Sequence, residues 1–95
     1  MTAPTETQLA EVAARLGEEL LAAEWTVCTA ESSTAGLIGH VITMVPGASR
    51  YYLGGVIAYS NLAKELELHV PIELLAAHGA VSEEVAGALA EGVRE

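Results

Sequence analysis

The chain has 95 residues, of which 52% are hydrophobic, 18% charged and 4% aromatic, with a mean hydropathy of +0.39; domains usually run to about 100–150 residues, so it holds one at most. One cysteine, Cys28, excludes a disulfide framework and a multi-cysteine zinc site, and no run of about 18 apolar residues is present to span a membrane. The net charge of −9 argues against general nucleic-acid binding, which favours a basic face.

The first element is a helix. Leu9, Val12, Ala13, Leu16 and Leu20 recur at helical spacing, and Thr5 with Gln8 makes a capping box. Residues 1–8 show neither the basic nor the apolar segment of a secretory signal. Residues 25–30 form an extended run rich in β-formers, the length of a buried strand. Glu31, Ser32, Ser33 and Thr34 then offer caps for an apolar helix over residues 35–44. Pro46-Gly47 marks a turn. A second strand spans residues 52–60, and Gly54-Gly55 within it points to a bulge or a close backbone approach. Asn61 can cap a short helix that carries Lys64. Pro71 opens another helix, which Gly79 ends with His78 at its carboxyl end. Ser82 caps the last helix, with Val85, Leu89 and Val93 as its apolar stripe.

That stripe is still running at Val93, and Glu95 has no Gly, Asn or Pro after it. Two strands are also few for an independent α/β sheet. A chain this short buries only about 60–65% of its unfolded surface, so the apolar content predicts a covering partner. The chain therefore reads as the front part of a larger α/β domain, incomplete at its C-terminal end, or as an oligomer.

Charge is unevenly spread. All thirteen acids are Glu; residues 1–24 carry a net −4, residues 65–95 a net −6, and residues 25–64 a net +1. The acidic flanks read as solvated helix faces, so candidate chemistry is confined to the middle. Parallel strands joined by a helical crossover end on one sheet edge, where ligands of open α/β sheets bind. The serines after the first strand and Tyr59 with Lys64 after the second are predicted to converge there. A hydroxyl at a strand-to-helix turn faces free N–H groups that can hold an oxyanion, and a neutral lysine can take its proton. From position alone the commoner role of such a serine is a helix cap.

Four blocks carry a resemblance: residues 29–36 (Thr-Ala-Glu-Ser-Ser-Thr-Ala-Gly), 45–49 (Val-Pro-Gly-Ala-Ser), 53–64 (Leu-Gly-Gly-Val-Ile-Ala-Tyr-Ser-Asn-Leu-Ala-Lys) and 78–82 (His-Gly-Ala-Val-Ser). Taken in order over roughly residues 5–95, the chain resembles the CinA C-terminal domain family, whose stand-alone members include nicotinamide-nucleotide amidases. The resemblance implies a three-layer α/β/α sandwich with a mixed sheet, of which this chain holds the front part. It implies hydrolysis of the carboxamide of nicotinamide mononucleotide to nicotinate mononucleotide and ammonia, in the pyridine nucleotide cycle. The implied nucleophile is Ser32, the lysine is Lys64 and the assisting tyrosine is Tyr59. Thr34 falls on the family's motif threonine. Ser33 stands where the family usually has Cys, and Ala35 where it has its first Gly. The family's Gly-rich segment has no counterpart in these residues.

Glu31 either orders the turn or binds substrate; Arg50 either meets a phosphate or is a solvated loop arginine. His40, His69 and His78 lack metal-ligand spacing, and the implied chemistry needs no metal or organic cofactor. The implied partner is a small-molecule pyridine nucleotide, with no nucleic acid or membrane, in a cytoplasmic homo-oligomer. The rival class is a non-catalytic nucleotide-binding or assembly module.

Overall fold

A computed structural model describes residues 3–94; the readings placed on Met1, Thr2 and Glu95 lie outside the described residues. Helix α1 (Glu6–Ala23) starts where the capping box puts it. The Thr5 hydroxyl accepts from the Gln8 amide at 3.1 Å, and the Gln8 side chain accepts from the Thr5 amide at 2.8 Å. Glu24 ends the helix in the left-handed conformation. Strand β1 (Val27–Glu31) starts two residues later than the sequence pattern, and Trp25 is exposed. Helix α2 (Leu37–Thr43), a 3₁₀ turn at Ala48–Arg50 and strand β2 (Tyr52–Ile57) follow. Then come α3 (Asn61–Leu68), α4 (Ile72–His78) and α5 (Glu83–Arg94). This is an α/β fold, helices packed on a small parallel sheet.

The strand register follows from two bonds. The Val27 amide donates to the Tyr51 carbonyl, and the Ala58 amide donates to the Glu31 carbonyl, each at 2.8 Å. Both run in the sense of a parallel ladder. Between them β2 takes one residue more than a regular ladder allows. Gly54, at φ 142°, has no atom near the position of a Cβ, so its glycine serves a bulge and not a close approach.

The chain divides into two compact units: Met1–Val27 with Leu37–Gly54, and Cys28–Gly36 with Gly55–Glu95. In the first, α1 packs on α2 around Leu20, Ile42, Ala48 and Tyr51. Gly17 is required there, because a Cβ would collide with the Tyr51 ring and hydroxyl. The α1 stripe is only partly inward. Ala13, Gly17 and Leu20 are buried, whereas Val12 and Leu16 line an open apolar groove with Leu37, Ile38 and Val41.

In the second unit, α3, α4 and α5 enclose Ala58, Leu68, Val70, Leu75, Val85 and Leu89. The cap of α3 is Ser60 and not Asn61: its hydroxyl accepts from the Ala63 amide at 3.1 Å. Both residue types cap well, so composition could not choose between them. Ser82 caps α5 as expected, accepting from the Val85 amide at 3.2 Å.

Candidate functional site

The site is built in the second unit from the ends of the two strands. The Ala58–Glu31 bond is the last rung of the pairing, and the next residue on each side is Tyr59 or Ser32. Beyond that rung the chain runs on from β1 into Ser32 and from β2, past Ala58, into Tyr59. The Ser60 cap then starts α3, whose first turn carries Lys64 back toward that edge. The Lys64 Nζ donates to the Tyr59 carbonyl at 3.2 Å, and the residue is 1% exposed. An ammonium has three donors and no acceptor; the Tyr59 carbonyl receives one of them. The His78–Glu84 and Arg94–Glu91 contacts do not involve Lys64.

Glu31, the last residue of β1, is 4% exposed. Its Oε1 accepts from the Thr34 hydroxyl at 2.9 Å, and its Oε2 accepts from the Thr29 hydroxyl at 3.5 Å. Ser32 is half-buried, and Ser33 and Thr34 are exposed.

The expected helix start at Ala35 is corrected. Residues 32–36 form a turn, closed by the Ala35 amide donating to the Ser32 carbonyl at 3.0 Å, and α2 begins only at Leu37. Ala35 and Gly36 have φ of 54° and 97°, which no right-handed helix accommodates. The Thr34 hydroxyl is engaged with Glu31 instead of a helix amide, the competition that makes such residues turn formers. No helix terminus therefore follows Ser32 directly, and an oxyanion there would face the turn.

Ser32 and Tyr59 thus follow the ends of β1 and β2, Lys64 is tied to the Tyr59 carbonyl, and Glu31 and Thr34 are bonded across Ser32. The Tyr59 carbonyl holds Lys64, and Tyr59 itself is 74% exposed. Arg50 belongs to the first unit, exposed, its Nε donating to the Gly47 carbonyl at 3.2 Å. Thr29 was not singled out from sequence, although strand alternation places it on the same face as Glu31. Among the described residues, no group of three or more His, Cys or Glu side chains is placed to hold a metal ion, and no helix is long and apolar enough to cross a membrane.

A family model described as CinA C-terminal domain matches residues 9–95. The chain is 52% identical over 85 residues to a CinA-like protein of Gemmatimonas aurantiaca, covering 90% of this chain and 20% of that protein. It is 55% identical over 80 residues to a CinA-like protein of Salinibacter ruber, covering 84% of this chain and 19% of that protein. Among solved structures it is similar to the competence/damage inducible protein CihA from Agrobacterium tumefaciens, with a TM-score of 0.87 and 35% identity over 98% of this chain and 56% of that one. The competence damage-inducible protein A from Klebsiella pneumoniae gives a TM-score of 0.87 and 33% identity, over 90% of this chain and 53% of that one. The chain therefore spans about a fifth of the length of these curated relatives and just over half of these solved chains.

Proposed function

The chain belongs to the CinA C-terminal domain family, and from that premise we propose that it carries the serine and lysine of an amidohydrolase acting on nicotinamide mononucleotide. Ser32 Oγ attacks the carboxamide carbon while the Lys64 amine takes its proton. The tetrahedral intermediate collapses with the C–N bond, and Lys64 returns the proton to the departing ammonia. Water, deprotonated by the same amine, then attacks the acyl-Ser32 ester and releases nicotinate mononucleotide with the serine restored. The Tyr59 carbonyl steadies the amine, and the exposed Tyr59 ring is available to assist proton transfer at the substrate.

The observation that carries this reading is the position of Lys64. It is a buried lysine held on the carbonyl of Tyr59, which follows the end of β2 at the edge where α/β folds bind ligands. Burying a charged group costs free energy unless it is fully paired, so a lysine kept there for packing alone would be a poor choice. Apolar side chains left exposed on β2, α3 and α4, including Leu53, Leu62, Leu66 and Ile72, support self-association as a homo-oligomer. A pyridine nucleotide substrate places the protein in the cytoplasm.

The test is ammonia release from nicotinamide mononucleotide by this chain and by a longer protein containing it. Release that Ser32→Ala abolishes is expected. If neither form releases ammonia, the reading gives way to a non-catalytic nucleotide-binding or assembly module.

A further inference from the structure

We infer that Glu31 is the positioning residue of the turn that carries Ser32, acting as a buried clamp between the strand and the turn and not as a ligand for substrate. The turn needs one. It holds two successive residues at positive φ, and one of them, Ala35, carries a Cβ that disfavours this conformation. Such a backbone persists only where its surroundings over-determine it.

Glu31 supplies that constraint from three directions. Its main-chain carbonyl is fixed to β2 through the Ala58 amide at 2.8 Å. One carboxylate oxygen reaches back along the strand to Thr29, and the other reaches forward across Ser32 to Thr34 at 2.9 Å. Ser32 therefore sits inside a loop whose two ends meet on one side chain. A carboxylate that is 4% exposed and engaged by hydroxyls on both sides is already committed. Thr34, exposed at the far end of the clamp, is engaged in the same bond.

The kinetic part of this inference rests on Ser32 being the nucleophile; the structural part does not. The Ala35 amide, which closes the turn on the Ser32 carbonyl, reports the turn directly through its hydrogen exchange. Thr34→Val removes one hydroxyl from an exposed residue and leaves the core intact. It should speed Ala35 exchange by about tenfold or more, the scale of losing a hydrogen bond to a charged group. Glu31→Gln should do the same, Thr34→Ser should restore the wild-type rate, and the amides of α3 should not change in any of them. Thr34→Val exchanging at the wild-type rate, or Thr34→Ser behaving like valine, overturns the clamp.

In the form that releases ammonia, Thr34→Val should lower kcat by about tenfold with KM unchanged, because a displaced nucleophile loses transition-state stabilisation. A raised KM with kcat unchanged would make Thr34 and Glu31 substrate ligands and overturn the inference. If no form releases ammonia, the functional reading falls, and the exchange rates still decide the clamp.

Discussion

Lys64 shows how one side chain can be legible in sequence and its environment not. The Tyr-Ser-Asn-Leu-Ala-Lys spacing put Lys64 after the second strand, and the uncharged middle of the chain suggested a sheltered amine. What the spacing could not give was its partner. Main-chain carbonyls have no sequence signature, so the bond from Nζ to the Tyr59 carbonyl was invisible and a hydroxyl relay was the natural expectation. The chemistry demands a free amine at the moment Ser32 attacks. Lys64→Ala and Ser32→Ala should each remove most turnover, and the double variant should lose little more, because the two groups act as a unit. Lys64→Arg should fail as alanine does, since a guanidinium stays protonated and cannot accept the serine proton. Tyr59→Phe keeps the carbonyl that holds Lys64 and should cost less than the about 10²–10⁴-fold typical of a lost acid–base group. Ammonia release from the four single variants and the double checks this set. An active Lys64→Arg variant would reduce Lys64 to a source of charge.

At the scale of elements, helices with strong end signals were read closely and turns with unusual backbone were not. The Thr5–Gln8 box, Ser82 and the Gly79 stop all lie where capping chemistry puts them. The helix start expected at Ala35 rests on Ser32, Ser33 and Thr34 as cap formers. Their side-chain hydroxyls serve a turn equally well, and only the left-handed Ala35 and Gly36 decide between the two. Helix α5 offers a clean test of the packing. A Cβ at Gly92 would collide with the Leu68 carbonyl of α3, whereas a Cβ at Gly87 meets nothing. Gly92→Ala should therefore destabilise by about 1–3 kcal/mol, as overpacking does. Gly87→Ala should stabilise by about 0.5–1 kcal/mol through helix propensity alone. Urea unfolding of both variants beside the wild type measures this, and equal midpoints would contradict the close approach of α5 to α3.

At the scale of the whole molecule, charge and apolar content told two different things. The concentration of twelve of the thirteen Glu in residues 1–24 and 65–95 located the near-neutral stretch that holds Ser32, Tyr59 and Lys64. The excess of apolar residues is visible as Val12, Leu53, Ile57, Leu62, Leu66 and Ile72, all exposed. Periodicity can say that a face is apolar but not what lies against it: of α1, only Ala13, Gly17 and Leu20 are buried. The resemblance carried the rest, because the four motif blocks name residues from separate parts of the chain that no local pattern links. The central claim is that Ser32 becomes covalently acylated, and rapid-quench intact-mass analysis tests it most directly. The protein that releases ammonia is mixed with nicotinamide mononucleotide, quenched in acid and mapped by peptide. The account predicts a nicotinate mononucleotide acyl adduct on the peptide containing Ser32, absent in Ser32→Ala; full turnover by Ser32→Ala, with no adduct at Ser32 in the wild type, would contradict it.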